Sequence, residues 1–206
     1  RNNTRTCWVL KCDIKKFFDS IDHEVLLNIL YENISDKDIL DLLNNVVDSY
    51  HSKINGKGVG LPLGNLTSQL LANVYMNRLD QFMKHKLKIQ YYVRYADDFI
   101  ILSTDKKYLE SLIIPIQNFL SEKLKLTLHP NKIFLQTVAS GIDYLGWKHF
   151  NNYRLLRKTT QKRLLKQVAK NPVNETLQSY LGLLKHGNGR KVKERLLNEY
   201  WFYGEN

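Results

Sequence analysis

Residues 91–102 read YYVRYADDFIIL, and this pattern predicts two short strands joined by a tight turn. The residues on both sides of the turn are mostly aromatic or β-branched, which favours the pleated surface of a sheet. Asp97 and Asp98 lie in the turn, and no basic residue of the turn neutralises them. Because two like charges at this separation repel, the pair is costly unless a cation binds there.

Strand periodicity distinguishes the two carboxylates. Residues 91, 93, 95 and 97 share one face of the predicted strand, whereas Asp98 has the opposite parity. One carboxylate is therefore expected to be the better metal ligand, and we predict that it is Asp97.

A second acidic strand end supplies a partner for this pair. Residues 7–14 read CWVLKCDI, an apolar strand that ends near Asp13. Two strands of one sheet could bring Asp13 beside Asp97, although the two are far apart along the chain. Carboxylates suit Mg²⁺, which prefers oxygen ligands together with substrate phosphates. Two such ions roughly 4 Å apart would stabilise the attacking and the leaving oxygens of an in-line phosphoryl transfer.

Four motifs stand in a definite order along the chain. They are DIKKFFDSID at 13–22, GLPLGNLTSQ at 60–69, YADD at 95–98 and YLGW at 144–147. In this order and spacing they resemble motifs A, B, C and E of the reverse transcriptase palm. Residues 61–69, together with SYLGLLKHGN at 179–188, most resemble the reverse transcriptases of diversity-generating retroelements. Those are bacterial or phage enzymes related to the reverse transcriptases of group II introns.

The resemblance covers nearly the whole chain and implies an α+β fold. A polymerase palm at residues 1–156 would have an antiparallel sheet with flanking helices, and a small all-α thumb would follow at 157–206. Reverse transcriptase fingers normally precede motif A, but only 12 residues precede Asp13. The fingers are therefore expected to be missing or truncated, and a chain that starts at Arg1 is expected to be a fragment.

Helical patterns fill the segments between and after the motifs. Asp22 is placed to cap one helix, and Asn65 or Thr67 is placed to cap a longer one. A helix at about residues 37–50 carries an apolar stripe that is expected to pack in the core, formed by Ile39, Leu42, Leu43, Val46 and Val47. An amphipathic helix is predicted at 106–125, and thumb helices are predicted at about 159–169, 173–186 and 191–201.

The implied reaction is RNA-directed DNA synthesis. The 3′-hydroxyl of a DNA or RNA primer on an RNA template would attack the α-phosphate of a deoxynucleoside triphosphate. Two Mg²⁺ ions, which Mn²⁺ can replace, would be held by Asp13, Ile14, Asp97 and Asp98, and the three aspartates are candidate catalytic residues. Lys132 matches the motif D lysine and is a candidate proton donor to the leaving pyrophosphate. An exposed lysine at a turn is the competing interpretation.

Motifs A and B would supply the nucleotide site. Glycines allow close backbone approach and a helix N-terminus favours phosphate, although a plain turn that enters a helix has the same pattern. Phe18 matches the family's sugar gate, whose ring would clash with a ribose 2′-hydroxyl; a core phenylalanine is the alternative. Most reverse transcriptases have Gln where this chain has Leu63, and leucine cannot hydrogen-bond a nucleotide, so looser base selection is expected. The implied nucleotide contacts are Lys15, Lys16, Phe17, Phe18, Leu63, Gly64 and Gln69.

The resemblance also implies contacts to the nucleic acid. The YLGW motif predicts a hairpin strand in which Gly146 permits close backbone approach, and it matches the primer grip; a buried aromatic strand is the competing interpretation. The implied primer contacts are Tyr95, Tyr144, Leu145, Gly146 and Trp147. The first thumb helix would hold the duplex through its phosphates without reading sequence, using Lys158, Lys162, Arg163, Lys166 and Lys170.

The composition agrees with a nucleic-acid partner. The 206 residues carry a formal net charge of +11, of which +8 lies in residues 151–206. Such an excess attracts polyanions, although a solvated basic surface would have the same composition. Cys7 and Cys12 have opposite strand parity, which argues against a disulfide between them and suits a reducing cytoplasm. No signal peptide or apolar run near 18 residues is present, so membrane insertion is not expected.

The resemblance further implies a bacterial or phage-encoded cytoplasmic enzyme with a small basic accessory protein as a partner. Within the same class, the alternative is a group II intron-type reverse transcriptase and maturase. In another class, the alternative is an inactive palm that only binds nucleic acid or a protein partner. The intact set of acidic residues argues against this last alternative.

Overall fold

The computed structural model describes residues 6–204. The chain divides into two compact units between Leu135 and Gln136, and each unit has its own hydrophobic core. Among the described residues, no helix is both long enough and apolar enough to cross a membrane.

The first unit combines helices with a sheet. Its elements are β1 (Trp8–Cys12), α1 (Phe17–Ser20), α2 (His23–Tyr31), α3 (Lys37–Asp48), α4 (Leu66–Gln81), β2 (Tyr91–Tyr95), β3 (Asp98–Ser103) and α5 (Lys106–Leu124). A π-helical turn, Phe82–Lys86, continues α4, and a 3₁₀ turn, Pro130–Lys132, precedes β4 (Phe134–Thr137).

The sheet order is β2-β3-β1-β4. The pairs β1–β3 and β2–β3 are both antiparallel, with Cys12 opposite Phe99 and Tyr95 opposite Asp98. Strand β1 therefore lies beside the hairpin of β2 and β3, as predicted. This hairpin carries Asp97 and Asp98 and is called the acidic hairpin below. This neighbourhood is favourable because Leu10, Cys12, Phe99 and Ile101 are all fully buried in one core.

Helix α4 packs one face against the core of the first unit. Leu71, Tyr75 and Leu79 are buried at helical spacing. The Tyr75 hydroxyl donates to the Leu124 carbonyl at 2.6 Å, which ties α4 to the end of α5. Asn65 takes the N-cap position of α4, but its side chain makes no capping hydrogen bond.

Helices α2 and α3 differ in how well they agree with the sequence predictions. Asp22 caps α2 as predicted, since its Oδ1 accepts from the Val25 amide at 3.0 Å. The expected core stripe of α3 is wrong in part: Val47 is fully buried, whereas Ile39, Leu42 and Val46 are exposed. Apolar spacing identified the helix but not how much of its face is covered.

The second unit contains a small sheet and three helices. The antiparallel sheet has the order β5-β6-β7, and a 3₁₀ turn, Val138–Ser140, precedes it. The elements are β5 (Ile142–Tyr144), β6 (Trp147–His149), β7 (Arg154–Leu156), α6 (Lys158–Lys170), α7 (Asn174–Leu184) and α8 (Arg190–Gly204). Their shared core includes Trp147, Leu164 and Leu196. All three predicted helices are present, and the palm–thumb division at 156/157 stays a prediction.

Two glycines of the second unit have different roles. Leu145 and Gly146 form the two-residue turn between β5 and β6, with φ angles of 50° and 83°, and Gly146 suits this left-handed conformation. Helix α7 was predicted to extend to about residue 186, but it ends at Leu184, before Gly187. Gly187 instead packs so close to the Trp147 ring that a methyl group at that position would overlap it.

Candidate active site

The acidic hairpin presents its two carboxylates in different ways. Tyr95 pairs with Asp98, so the turn consists of Ala96 and Asp97 alone. Ala96 adopts the left-handed conformation, with φ at 51°, which is uncommon for a residue with a Cβ. Strand parity was the basis for predicting Asp97 as the better metal ligand. This argument does not apply, because Asp97 lies in the turn rather than in the strand.

Strand β1 brings Asp13 to the same end of the sheet. Continuing the β1–β3 register beyond Cys12 and Phe99 places Asp13 opposite Asp98. The backbone of Asp13 is fixed from its other side, since its carbonyl accepts from the His129 amide at 2.8 Å. Next along the chain, Ile14 forms a bridge with Leu128 and its side chain is buried.

The pKa of Asp97 shows that the carboxylates interact. Burial raises the pKa of Asp97 above its ordinary value, and the negative charges of Asp13 and Asp98 raise it further. A hydrogen bond from its own backbone and the positive charge of Lys132 act in the opposite direction. Asp13 and Asp98 are thus near enough to Asp97 to repel its charge through space.

Two lysines compensate two of the three carboxylates. Lys132 Nζ lies 3.0 and 3.1 Å from the two oxygens of Asp13, and Lys11 Nζ lies 2.9 Å from Asp98 Oδ2. Asp97 forms no ion pair with any residue between 6 and 204. The sequence prediction missed Lys11, although strand alternation places it on the same face of β1 as Asp13.

The donor chemistry of this cluster suits a hard divalent cation, but the carboxylates do not converge fully. In the part of the chain that the structure describes, no three His, Cys, Asp or Glu side chains are arranged to hold one metal ion. Two of the three carboxylates are instead engaged by lysines, Asp13 by Lys132 and Asp98 by Lys11. A metal ion at Asp13 and Asp97 would have to displace Lys132.

A cavity of about 470 Å³ adjoins the acidic turn. It is lined by residues of motifs A, B and C, among them the predicted site residues Phe18, Gln69, Tyr95, Asp97 and Asp98. Its remaining lining residues were not predicted: Ala72, Asn73, Arg94 and Ala96. The spacing of Gln69 and Asn73 by four residues on α4 is the signal that could have identified Asn73.

Other predicted nucleotide residues lie elsewhere. Phe17 is buried in the core and packs edge-on against Phe18, with ring centroids 5.2 Å apart, so only its backbone is available to a ligand. Lys15 and Lys16 line a separate pocket of about 210 Å³. Leu63 is 74% exposed, and Gly64, with φ at 91°, lies beside it.

The second unit holds the remaining predicted residues. Tyr144 and Trp147 are buried, whereas Leu145 is exposed at the turn. Helix α6 buries Leu164 and Val168 and exposes every predicted basic residue, namely Lys158, Lys162, Arg163, Lys166 and Lys170. This exposed set defines the basic face of α6.

Solved structures share the fold. The chain aligns with apo telomerase from Candida tropicalis with a TM-score of 0.61 at 12% identity, covering 98% of this chain and 42% of the other. Telomerase from Candida albicans, in complex with a fragment of telomeric RNA, gives a TM-score of 0.58 at 15% identity, covering 97% of this chain and 40% of the other. The chain therefore shares its fold with these telomerase structures.

Residues 1–149 match the family described as reverse transcriptase (RNA-dependent DNA polymerase). The chain belongs to this family. The match extends over motifs A, B, C and E, which were the basis of the resemblance in the sequence.

Curated relatives are similar over most of this chain. Protein YkfC of Escherichia coli is 26% identical over 82% of the chain and 52% of its own length. The group II intron-encoded protein LtrA of Lactococcus lactis subsp. cremoris is 24% identical over 85% of the chain and 39% of its own length. The putative COX1/OXI3 intron 2 protein of Saccharomyces cerevisiae is 24% identical over 91% of the chain and 30% of its own length. The chain thus spans about a third to a half of the length of these relatives.

Proposed function

We propose that the chain is the catalytic part of an RNA-directed DNA polymerase that transfers deoxynucleotides to a primer 3′-hydroxyl. The observation that carries this proposal is the placement of Asp13 and Asp97 at one end of the sheet, where Asp97 lines a cavity together with Phe18 and Gln69. The direct test is primer extension by the full-length protein on primed RNA with Mg²⁺ and deoxynucleoside triphosphates. Lack of extension would favour an inactive palm that only binds nucleic acid or a protein partner.

In this proposal, Asp13 and Asp97 hold Mg²⁺, and Asp98 assists them. The ion, when bound, stabilises charge on the attacking and leaving oxygens. The chain itself contributes positioning and fixed charges. Lys132, once released from Asp13, would carry the proton that the departing pyrophosphate takes. Ile14 would contribute only its backbone, because its side chain is buried.

Nucleic acid would be held by both units. Tyr95 is exposed beside the acidic turn, and we assign it to the primer together with the hairpin of Tyr144, Leu145, Gly146 and Trp147. The basic face of α6 would bind the phosphates of the template–primer duplex. The partners are accordingly an RNA template, a DNA or RNA primer and deoxynucleoside triphosphates.

The subclass has two candidates. Residues 61–69 and 179–188 support the reverse transcriptase of a diversity-generating retroelement, with its small basic accessory protein. Similarity to the group II intron-encoded protein LtrA supports a group II intron-type reverse transcriptase and maturase. The relatives come from bacteria and from yeast, so a bacterial or phage origin and a cytoplasmic location stay predictions. Splicing assays on an intron RNA would separate the two candidates.

Phe18→Ala is expected to admit ribonucleotides. Phe18 lines the cavity beside the acidic turn, and removing its ring would make room for a 2′-hydroxyl. The preference for deoxynucleotides, measured as a ratio of kcat/KM values, should fall by about 10- to 100-fold. Phe134→Ala, which removes a half-exposed ring of β4, should leave the ratio unchanged. An unaltered ratio in Phe18→Ala would assign Phe18 to the core alone.

Leu63→Gln is expected to reduce misincorporation opposite template adenine. An exposed leucine cannot hydrogen-bond the incoming nucleotide or the template, whereas glutamine can do both. The measurement is the error spectrum of DNA copied from a defined RNA template. Looser base selection is the property that the retroelement candidate requires, so an error spectrum identical to that of the wild type would reject this role for Leu63.

A further inference from the structure

Arg94 makes a set of buried contacts that neither the motifs nor the proposed reaction explains. It lies on β2 with its side chain only 9% exposed. Its Nε and Nη2 atoms lie 2.8 and 2.6 Å from the two carboxylate oxygens of Asp80, near the end of α4. This paired geometry is the strong, planar form of an arginine–carboxylate interaction.

The Asp80 carboxylate is held from a second direction. The Tyr92 hydroxyl donates to Asp80 Oδ1 at 2.7 Å, so one carboxylate accepts three hydrogen bonds from two residues of β2. Burial raises the pKa of Tyr92, and the charge of Asp80 raises it further, so Tyr92 remains a donor throughout the working pH range. Asp80 is therefore a fixed anchor on α4 for the side chain of Arg94.

The remaining nitrogen of Arg94 reaches the acidic turn. Nη1 donates to the carbonyl of Ala96 at 3.0 Å. Ala96 is the residue with the left-handed backbone, a conformation that alanine adopts only when its surroundings enforce it. The bonded carbonyl belongs to the peptide group that joins Ala96 to Asp97, so Arg94 fixes the backbone immediately before Asp97.

The same nitrogen also contacts the wall of the cavity. Nη1 lies 3.2 Å from Asn73 Oδ1, and Asn73 lines the cavity together with Gln69. One guanidinium thus connects the acidic turn to the face of α4 that borders the cavity. A rigid, planar group therefore links this face of α4 to the backbone next to Asp97.

We propose that Arg94 is a positioning residue for the proposed polymerase reaction. It holds the Ala96–Asp97 peptide in its unfavourable conformation and at a fixed position relative to α4. This inference rests on the proposed function for its consequence in catalysis. Its structural content, that the Arg94 side chain fixes the backbone that carries Asp97 and so supports metal binding there, is measurable without turnover.

The main variant is Arg94→Lys, which keeps the positive charge but cannot bond both Asp80 and the Ala96 carbonyl with one planar fork. We expect Mn²⁺ affinity, titrated by electron paramagnetic resonance on the full-length protein, to fall by about 10- to 100-fold, as is typical when the support of a metal ligand is removed. Primer extension should lose kcat by a similar factor while KM for the deoxynucleotide changes little. Arg78→Lys, which alters an ion pair with Glu32 elsewhere on α4, is the matched control and should change neither quantity.

A double-mutant cycle with Ala96→Gly separates positioning from plain stability. Glycine accepts the left-handed conformation without strain, so Ala96→Gly alone should have little effect while Arg94 still holds the turn. In the Arg94→Lys background the same change should cause an additional loss of Mn²⁺ affinity, because the freed glycine turn has no preferred geometry. Contacts that act only on stability would lower the unfolding temperatures of the variants without this additional loss of Mn²⁺ affinity.

The outcomes are distinguishable. Unchanged Mn²⁺ affinity in Arg94→Lys, or independent effects in the cycle, would overturn the positioning role. A wild-type protein that binds Mn²⁺ but does not extend primers would overturn the proposed function, and the Mn²⁺ titrations would still test Arg94. A wild-type protein that does not bind Mn²⁺ would overturn both. Thermal unfolding of every variant identifies any that fail to fold. If Arg94→Lys does not fold, Asp80→Asn, which weakens the anchor of Arg94, takes its place in the cycle with Ala96→Gly.

Discussion

Asp97→Asn is expected to lower the rate of primer extension by about 1,000-fold or more. The substitution keeps the shape of the side chain but removes its negative charge, and a bound metal supplies several kcal/mol of transition-state stabilisation. Each loss of about 1.4 kcal/mol slows the reaction tenfold. Asp97 is the carboxylate of the cluster that no ion pair compensates among residues 6–204, so we expect it to bind a cation from solution. The measurement is single-nucleotide extension under saturating nucleotide.

The same substitution should not destabilise the fold. Because burial and the neighbouring carboxylates raise the pKa of Asp97 in the folded state, the folded protein binds this proton more tightly than the unfolded chain does. Folding stability contributed by Asp97 therefore falls as pH rises from its ordinary pKa through the raised value, and the ionised group is unfavourable at neutral pH. Asp97→Asn should unfold at a temperature equal to or above that of the wild type, so a large loss of activity cannot be attributed to unfolding.

Two further substitutions calibrate this result. Asp98→Asn should cost less, about 10- to 100-fold, because Lys11 already engages Asp98 at 2.9 Å. Asp41→Asn removes the charge of an exposed aspartate on α3 and should have no effect. If Asp97→Asn retains activity within tenfold of the wild type, the two-metal assignment of Asp97 is wrong.

Lys132→Met is expected to have two opposite effects. It should lower kcat by about 100-fold, since general acid catalysis typically contributes 10²–10⁴-fold. It should also strengthen Mg²⁺ binding, because Lys132 bonds both oxygens of Asp13 in the structure and competes with a metal for that carboxylate. Titrating primer extension with Mg²⁺ separates the two effects, as a lower plateau reached at a lower ion concentration.

The opposing outcomes test the two interpretations of Lys132. A lysine that only neutralises Asp13 would give stronger Mg²⁺ binding with kcat unchanged. An exposed lysine without any role would change neither. Lys107→Met removes an exposed positive charge from the same unit and controls for weaker attraction of nucleic acid. A fall in kcat without any shift in the Mg²⁺ titration would show that the ion pair with Asp13 does not compete with the metal.

Local patterns predicted most of the elements. Asp22 caps α2 through its side chain, the YADD and YLGW segments form hairpins with two-residue turns, and the buried face of α4 follows helical spacing. Each of these features depends on residues within a few positions of one another, so a short segment of sequence contains its physical cause. The exposed face of α3 was not predictable in this way, since its coverage depends on which other elements lie nearby.

The candidate site was predictable in its residue types but less so in its contacts. Motif order identified Asp13, Asp97, Asp98, Phe18 and Gln69, and the structure brings the last four together around one cavity. It was not predictable that Lys132 and Lys11 would lie against Asp13 and Asp98. Charged side chains remote in sequence find each other only through the register of the sheet and the path of the loops.

The sequence by itself determined the family, the order of the helices and strands and the identity of the acidic residues, because motifs and periodicity act over short distances along the chain. Only the tertiary structure decided that Asp97 forms the tip of the turn, that two lysines compensate its neighbours, and that Arg94 joins the turn to α4. These relations depend on distances across the fold between side chains that no local pattern links. The same physical reason applies to Arg94. It directly precedes the YADD motif in the sequence, but only its contacts across the fold give it a proposed role.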